Sequence, residues 1–317
     1  MEYKSQFTND INGLIQYKRS LGFSYVTNEY RLKQFDDFCC TYFPNEHKLT
    51  KSLAMEWLKR RANESESNLS KRMEALRQLG KYMNSQDIKA FIIPTFYQPK
   101  VPLYQPHIFS DNELISFFNA TDTCKNDKSF PVRHLVYPVL FRFIYCCGLR
   151  LSEASCLSRK DIDTVSGYVY IINSKNKKDR LIVMSEDMSA LCHRYDCLID
   201  EIYPDRLWFF PSSKEKHYCK SSIDYAFRYF WNLTGISGSG NLPRVHDLRH
   251  QYCITRINTW LRDGKEIQSL LPYLSSYMGH SSLKETDYYL RLVLESFSVI
   301  TDKTVADFNS VVPEVEY

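Results

Sequence analysis

Four short stretches of the chain carry side chains suited to phosphate chemistry. In CGLRLSEA (147–154), Gly148 ends one expected helix and Arg150 sits at the corner before the next. A guanidinium at such a corner presents a planar fork that matches a phosphate, and Glu153, three residues on, can hold that side chain or cap the helix. SKNKKDR (174–180) is a lysine-rich turn, and an ammonium on a turn can both neutralise a phosphodiester and donate a proton. In RVHDLRH (244–250), His246 and Arg249 are three apart and share a helix face, where they can converge on an oxyanion; His250 is expected to turn away from that face. In MGHSSLKETDYYL (278–290), His280 follows Gly279 at a helix junction, and Tyr288 and Tyr289 come later on the next helix.

Only one of two adjacent tyrosines can face a given site, because neighbours on a helix point about 100° apart. The apolar stripe here is Leu283, Leu290, Leu294 and Phe297. Tyr289 flanks it near Thr286 and Val293, whereas Tyr288 falls with Lys284, Glu285 and Arg291 on an outward face. Periodicity therefore gives Tyr289 the half-buried place a positioned nucleophile needs. A phenol has a pKa of about 10 and attacks at neutral pH only when activated.

The elements that must position these groups divide the chain into residues 1–92, a proline-rich linker at 93–109 and residues 110–317. The first part reads as four helices: Thr8, Thr27 and Thr50 are candidate caps, and Leu69, Met73, Leu76, Leu79 and Tyr82 mark a fourth helix at about 68–83. Lys59, Arg60, Arg61, Lys71, Arg72, Arg77 and Lys81 fall largely outside the apolar stripes. FIIPTFYQPKVPLYQPHIF (91–109) holds four prolines and is expected to be extended. Ser110 with Glu113 forms a capping-box signature where the second domain starts. That domain is mostly helical, with GYVYIINSKNKKDRLIVMS (167–185) reading as a β-hairpin. The expected class is mainly α with a small sheet.

Residues 1–100 hold 16 Lys and Arg against 11 Asp and Glu, whereas the remainder is nearly balanced at 25 against 26, so a polyanion partner suits the first part. No apolar run is long enough for a membrane span and no signal core opens the chain, so a cytoplasmic location is expected. The ten cysteines include no CxxC pair and are expected to be reduced, buried thiols. Cys192, Cys197 and Cys219 with nearby histidines are a weak alternative zinc set. Neither a P-loop nor a GxGxxG is present.

Taken in order, an arginine, a hairpin lysine, His-x-x-Arg, Gly-His and a tyrosine nine residues later resemble the tyrosine recombinase (phage integrase) family over nearly the whole chain. GLRLSE, HDLRH and MGH carry the resemblance, and YKRSLGFSYVTNEYRLKQFDDF (17–38) looks like the family's helical core-binding domain. The resemblance implies that Arg150 and Arg249 grip the scissile phosphate of double-stranded DNA. It assigns Lys175 to protonate the leaving 5′ oxygen, with Lys177 and Lys178 competing for that place. It has His246 help move the nucleophile's proton and His280 hydrogen-bond the phosphate. Tyr289 becomes the nucleophile that forms a 3′-phosphotyrosine, with Glu153 and His250 as supports behind these groups. No cofactor or metal is implied, and no acidic cluster is evident for a two-metal nuclease. The resemblance further implies a clamp on duplex DNA, a homotetramer on two DNA sites, accessory DNA-bending or directionality proteins, and integration, excision or transposition of a mobile element. Val305, Phe308, Val311 and Val312 in the tail could pack into a neighbouring protomer or onto their own domain. The alternatives are a type IB topoisomerase-like nicking-closing enzyme, a non-catalytic DNA-binding protein on the same fold and, more remotely, a zinc-dependent hydrolase.

Overall fold

The computed structural model describes residues 1–101, 104–172, 179–236 and 242–280, together with 282, 286, 288–290 and 293. It divides into two compact units, Met1–Tyr104 and Gln105–Tyr317.

Four helices build the first unit: α1 (Thr8–Ser20), α2 (Val26–Tyr42), α3 (Lys51–Trp57) and α4 (Glu66–Ser85). Their inward faces carry Phe7, Ile11 and Leu14, then Leu32 and Phe35, then Leu53 and Trp57, and finally Met73, Leu76 and Leu79, all buried in one cluster. Thr50 caps α3 by accepting the Leu53 N–H, and Ser65 caps α4 in the same way from Asn68. Thr8 and Thr27, expected as caps, lie inside their helices instead. The Thr8 hydroxyl donates to Ser5 O at 2.7 Å, and α2 is entered through Tyr25 in a left-handed conformation. The entry to α1 is held by Asp36, whose carboxylate accepts the Lys4 and Ser5 N–H groups at 2.9 Å. This tertiary contact holds the segment leading into α1, whose first turn has no side-chain cap.

Two of the residues assigned to the outer basic face are internal. Arg72 is 1% exposed and forms paired 2.7 Å bonds to Glu64, donates to Trp57 O at 2.7 Å and lies over the Trp57 ring. Arg77 is also buried, and its Nε donates to Ile93 O at 2.8 Å. A long side chain can turn its head inward when carbonyls wait for it, which a stripe of Cβ positions does not reveal. Lys59, Arg60, Arg61, Lys71 and Lys81 are exposed. The proline-rich stretch is anchored to its units: Phe91 N donates to Leu49 O at 2.7 Å and Ile93 is buried, while at the far end Phe109 N donates to Gln251 at 2.9 Å.

The second unit opens with α5 (Asp111–Asp122), whose Ser110–Glu113 capping box is present, and α6 (Arg133–Cys147). After the short α7 (Leu151–Ser155) comes an antiparallel sheet of β1 (Ile162–Asp163), β2 (Tyr168–Ile171) and β3 (Arg180–Val183), in that order. Its register pairs Tyr168 with Val183 and Ile171 with Arg180. Val169, Ile171 and Ile182 face the core, while Tyr168 and Tyr170 face outward, as the period of two requires. The chain continues through α8 (Glu186–Ile202), the small pair β4 (Pro211–Ser213) and β5 (Lys216–His217), α9 (Lys220–Leu233), α10 (Val245–Arg262) and α11 (Ile267–Met278). Thr286, residues 288–290 and Val293 are helical. α6 is the central helix, packed against α5, α8 and α10 around Phe117, Phe141, Phe143 and Phe227. The architecture is mainly α with a small antiparallel sheet. No described helix is long and apolar enough to cross a membrane.

The buried Arg72–Glu64 pair makes a testable demand on the first unit. Arg72→Leu leaves the Glu64 carboxylate and two carbonyls without their donor. It should lower the unfolding free energy by about 3–5 kcal/mol in urea denaturation. A midpoint equal to that of the parent chain would show that the pair is not a structural requirement.

Candidate active site

Two left-handed glycines set the backbone of the site. Gly148 ends α6 with φ 62°, and a Cβ there would come within 2.6 Å of Tyr252. Gly279 ends α11 with φ 63°, and a Cβ there would press on the guanidiniums of Arg180 and Arg150 at 3.1 and 3.3 Å. The helix ends are thus open at the two points where arginines must pass.

Three successive carbonyls at the end of α11 each receive a guanidinium. Arg180 Nε donates to Tyr277 O at 2.7 Å, Arg249 Nη2 to Met278 O at 2.6 Å, and Arg150 Nη2 to Gly279 O at 2.6 Å. Carbonyls there have no partner within the helix and form the negative end of its dipole, so cations belong beside them. Arg249 also donates to Gly148 O at 2.7 Å and is 1% exposed.

Glu153 ties the same guanidiniums from the other side. Its carboxylate accepts from Arg150 at 2.7 Å and from both terminal nitrogens of Arg180 at 2.9 and 2.7 Å, and it lies 3.8 Å from Arg249. It also accepts the Arg150 backbone N–H, so holding the side chain and capping α7 are done by one group. Burial would push the Glu153 carboxyl up, but the Arg180 and Arg150 bonds outweigh it and bring it down to about 2.

Tyr289 is 4% exposed, deeper than the half-buried place expected of it, and its hydroxyl lies 2.9 Å from His250 Nδ1. His280 stacks almost parallel on the Tyr289 ring, with centroids 5.7 Å apart, and its own Nδ1 meets the Thr286 hydroxyl at 2.9 Å. Tyr288 is partly buried against the cluster that holds Tyr289. His250 thus points into the site rather than away from it. Residues four apart on a helix share a face, so His250 stands beside His246, edge-on at 4.6 Å, and the last helix brings Tyr289 to that face.

Neither α10 imidazole carries charge at neutral pH. Burial, then Arg249, Arg150 and Lys220, hold His246 down to about 4. Burial, then His246, Arg249 and His280, hold His250 down to about 3. In the DNA-free protein the cations are therefore the arginines, and His246 and His250 offer lone pairs.

The structure brings together Arg150, Glu153, His246, Arg249, His250, His280 and Tyr289. Lys175, with Lys177 and Lys178, lies outside the described residues, as do Val305, Phe308, Val311 and Val312 of the tail. Arg180 was missed in the sequence. Its signal was the strand period: it is two residues before the inward-facing Ile182 and opposite the inward-facing Ile171, so it too faces inward. Among the described residues, no group of three or more His, Cys, Asp or Glu is placed to hold a metal ion, and the thiols and histidines considered for zinc do not converge.

The depressed histidines set a pH dependence of stability. An unfolded His takes up a proton near pH 6.5, whereas these two do so only near 4 and 3. Their contribution is full above pH 6.5 and is lost as pH falls towards 4 and 3, because the unfolded chain binds protons first. The double variant His246→Gln/His250→Gln should show a smaller drop in Tm between pH 7 and pH 4.5 than the parent in calorimetry. Parallel drops would contradict the assignment.

The sequence profile described as the phage integrase family matches residues 109–295. An integrase/recombinase named y4rE from Sinorhizobium fredii (strain NBRC 101917 / NGR234) is 31% identical over 206 residues, covering 64% of this chain and 65% of that relative's length. A second from the same strain, y4rB, is 26% identical over 298 residues, covering 90% and 93%. In fold, the chain resembles XerH site-specific recombinase bound to palindromic difH substrate, with a TM-score of 0.64 at 19% identity over 87% of this chain and 78% of that one. It equally resembles the Tn1549 transposon integrase in complex with transposon right end DNA, with a TM-score of 0.64 at 15% identity over 89% and 93%. The chain belongs to the phage integrase family of tyrosine-type, site-specific DNA recombinases.

Proposed function

We propose that this protein recombines duplex DNA by cutting and rejoining strands at Tyr289. The observation that carries the reading is the buried Tyr289 hydroxyl, set on an imidazole beside a cluster of arginines. Three guanidiniums against one carboxylate leave a surplus of positive charge where a phosphodiester would dock, and fixed donors stabilise the charge that builds on its oxygens during attack. Arg150 and Arg249 retain N–H groups beyond those used on carbonyls and Glu153, because each guanidinium has five. His280, packed on the tyrosine ring, would bond the phosphate, His246 would line the same face, and Lys175 would protonate the leaving 5′ oxygen.

Attack by the phenol oxygen forms a Tyr–phosphate ester and releases a 5′ hydroxyl. The ester keeps the bond energy, so another 5′ hydroxyl can reverse the step without a cofactor. The exposed basic residues of the first unit, Lys59, Arg60, Arg61, Lys71 and Lys81, suit contacts to the DNA backbone, and affinity should fall as salt rises. Likeness in fold to a site-specific recombinase and a transposon integrase, each bound to DNA, supports duplex DNA as the substrate; exchange between two DNA sites by four protomers is part of the same proposal. The C-terminal tail could join neighbouring protomers.

Trapping on a nicked duplex tests the reading, using DNA that the wild type has selected from a randomised pool. Wild type and Tyr288→Phe should give a covalent protein–DNA band on a denaturing gel, and Tyr289→Phe none. Arg249→Ala should slow adduct formation about 10²–10³-fold. An adduct that persists in Tyr289→Phe would move the nucleophile elsewhere. No adduct with wild type on DNA that it binds would leave a binding protein.

A further inference from the structure

The three histidines around Tyr289 stand in different relations to it. His280 lies flat against the ring, with an interplanar angle of 10°, and its Nδ1 is engaged by Thr286. It can hold the ring but does not aim that nitrogen at the hydroxyl. His246 stands edge-on to His250. His250 places its Nδ1 at hydrogen-bond distance from the phenol oxygen, 2.9 Å, with the rings tilted at 45°. It is held there from the backbone: its neighbour Arg249 is locked between Gly148 O and Met278 O, which fixes the rotation of α10.

We infer that His250 takes the proton of Tyr289 as the tyrosine attacks and returns it when the strand is rejoined. This rests on the reading of Tyr289 as the nucleophile. In the cleavage step the phenol O–P bond forms and the P–O5′ bond breaks. The phenol proton passes to His250 Nδ1, and the leaving 5′ oxygen takes a proton from the lysine assigned to it above. In religation each proton retraces its path.

The surroundings of His250 make this acceptor conditional on DNA. The groups that face it are His246 and Arg249 from α10, His280 from the turn after α11, and Tyr289 from the last helix. Without DNA, burial and the Arg249 charge keep the ring neutral, so Nδ1 has its lone pair, but they also keep it a weak base. A scissile phosphate against Arg150 and Arg249 brings negative charge next to the same ring. That offsets the cation and strengthens the base as the substrate arrives. The tyrosine therefore stays protonated until a phosphate is in place to be attacked.

The test measures single-turnover adduct formation on the nicked duplex described above, with either tyrosine or 3,5-difluorotyrosine at position 289. The fluorinated phenol is more acidic and needs its acceptor less. His250→Ala should slow cleavage about 10²-fold with tyrosine, at unchanged DNA affinity, and less than about 10-fold with the fluorinated phenol. His250→Gln keeps a hydrogen-bonding group and the helix surface but cannot take the proton, so it should be as slow as His250→Ala. An equal loss with both phenols, recovery in His250→Gln, or no loss at all would overturn the inference while leaving Tyr289 as nucleophile. A wild type that forms no adduct would overturn both readings.

Discussion

Like charges must be held together against their repulsion, and Glu153 with the end of α11 does that here. Arg150, Arg180 and Arg249 come from a helix corner, a strand and the interior of a helix. Nothing local would bring them together. One carboxylate, already committed to capping α7, bonds two of them and lies near the third, while three successive carbonyls receive one each. A guanidinium makes this possible because its donors are many and planar: some can be spent on the protein while others remain for a phosphate. Two left-handed glycines keep the approach clear.

The arrangement also links the sheet to α7, α10 and α11. Arg180 begins β3 and bonds both Glu153 and Tyr277 O, so the hairpin base is fixed to the same carboxylate and the same helix end as Arg150 and Arg249. The helical cluster that buries Tyr289 includes Tyr252, Cys253 and Met278, from the two helices that carry or receive Arg249. The tyrosine and the arginines therefore share a scaffold. The charge they create explains the neutral histidines: an imidazole buried beside guanidiniums is more stable without a second positive charge.

Much of this was legible in the sequence. Helix and strand periods, the Ser110–Glu113 box, the Gly148 helix end and the inward side of Tyr289 are local properties, and the structure shows each. Less legible were features whose partners are distant. Thr8 and Thr27 are good cap residues, yet Asp36 and a left-handed Tyr25 set those helix starts. Arg72 and Arg77 read as surface charge, yet buried carbonyls and Glu64 draw them inward.

By itself, the sequence determined which residue types were available for phosphate chemistry, their order along the chain, and the inward side of the helix on which Tyr289 would stand. These follow from the fixed geometry of helices and strands. Tertiary structure alone decided that Arg180 joins the cluster, that His250 rather than a side chain facing away meets Tyr289, and that His246 and His250 are uncharged. Contact and charge state depend on what other segments bring to within a few ångströms, and spacing along one helix does not encode that.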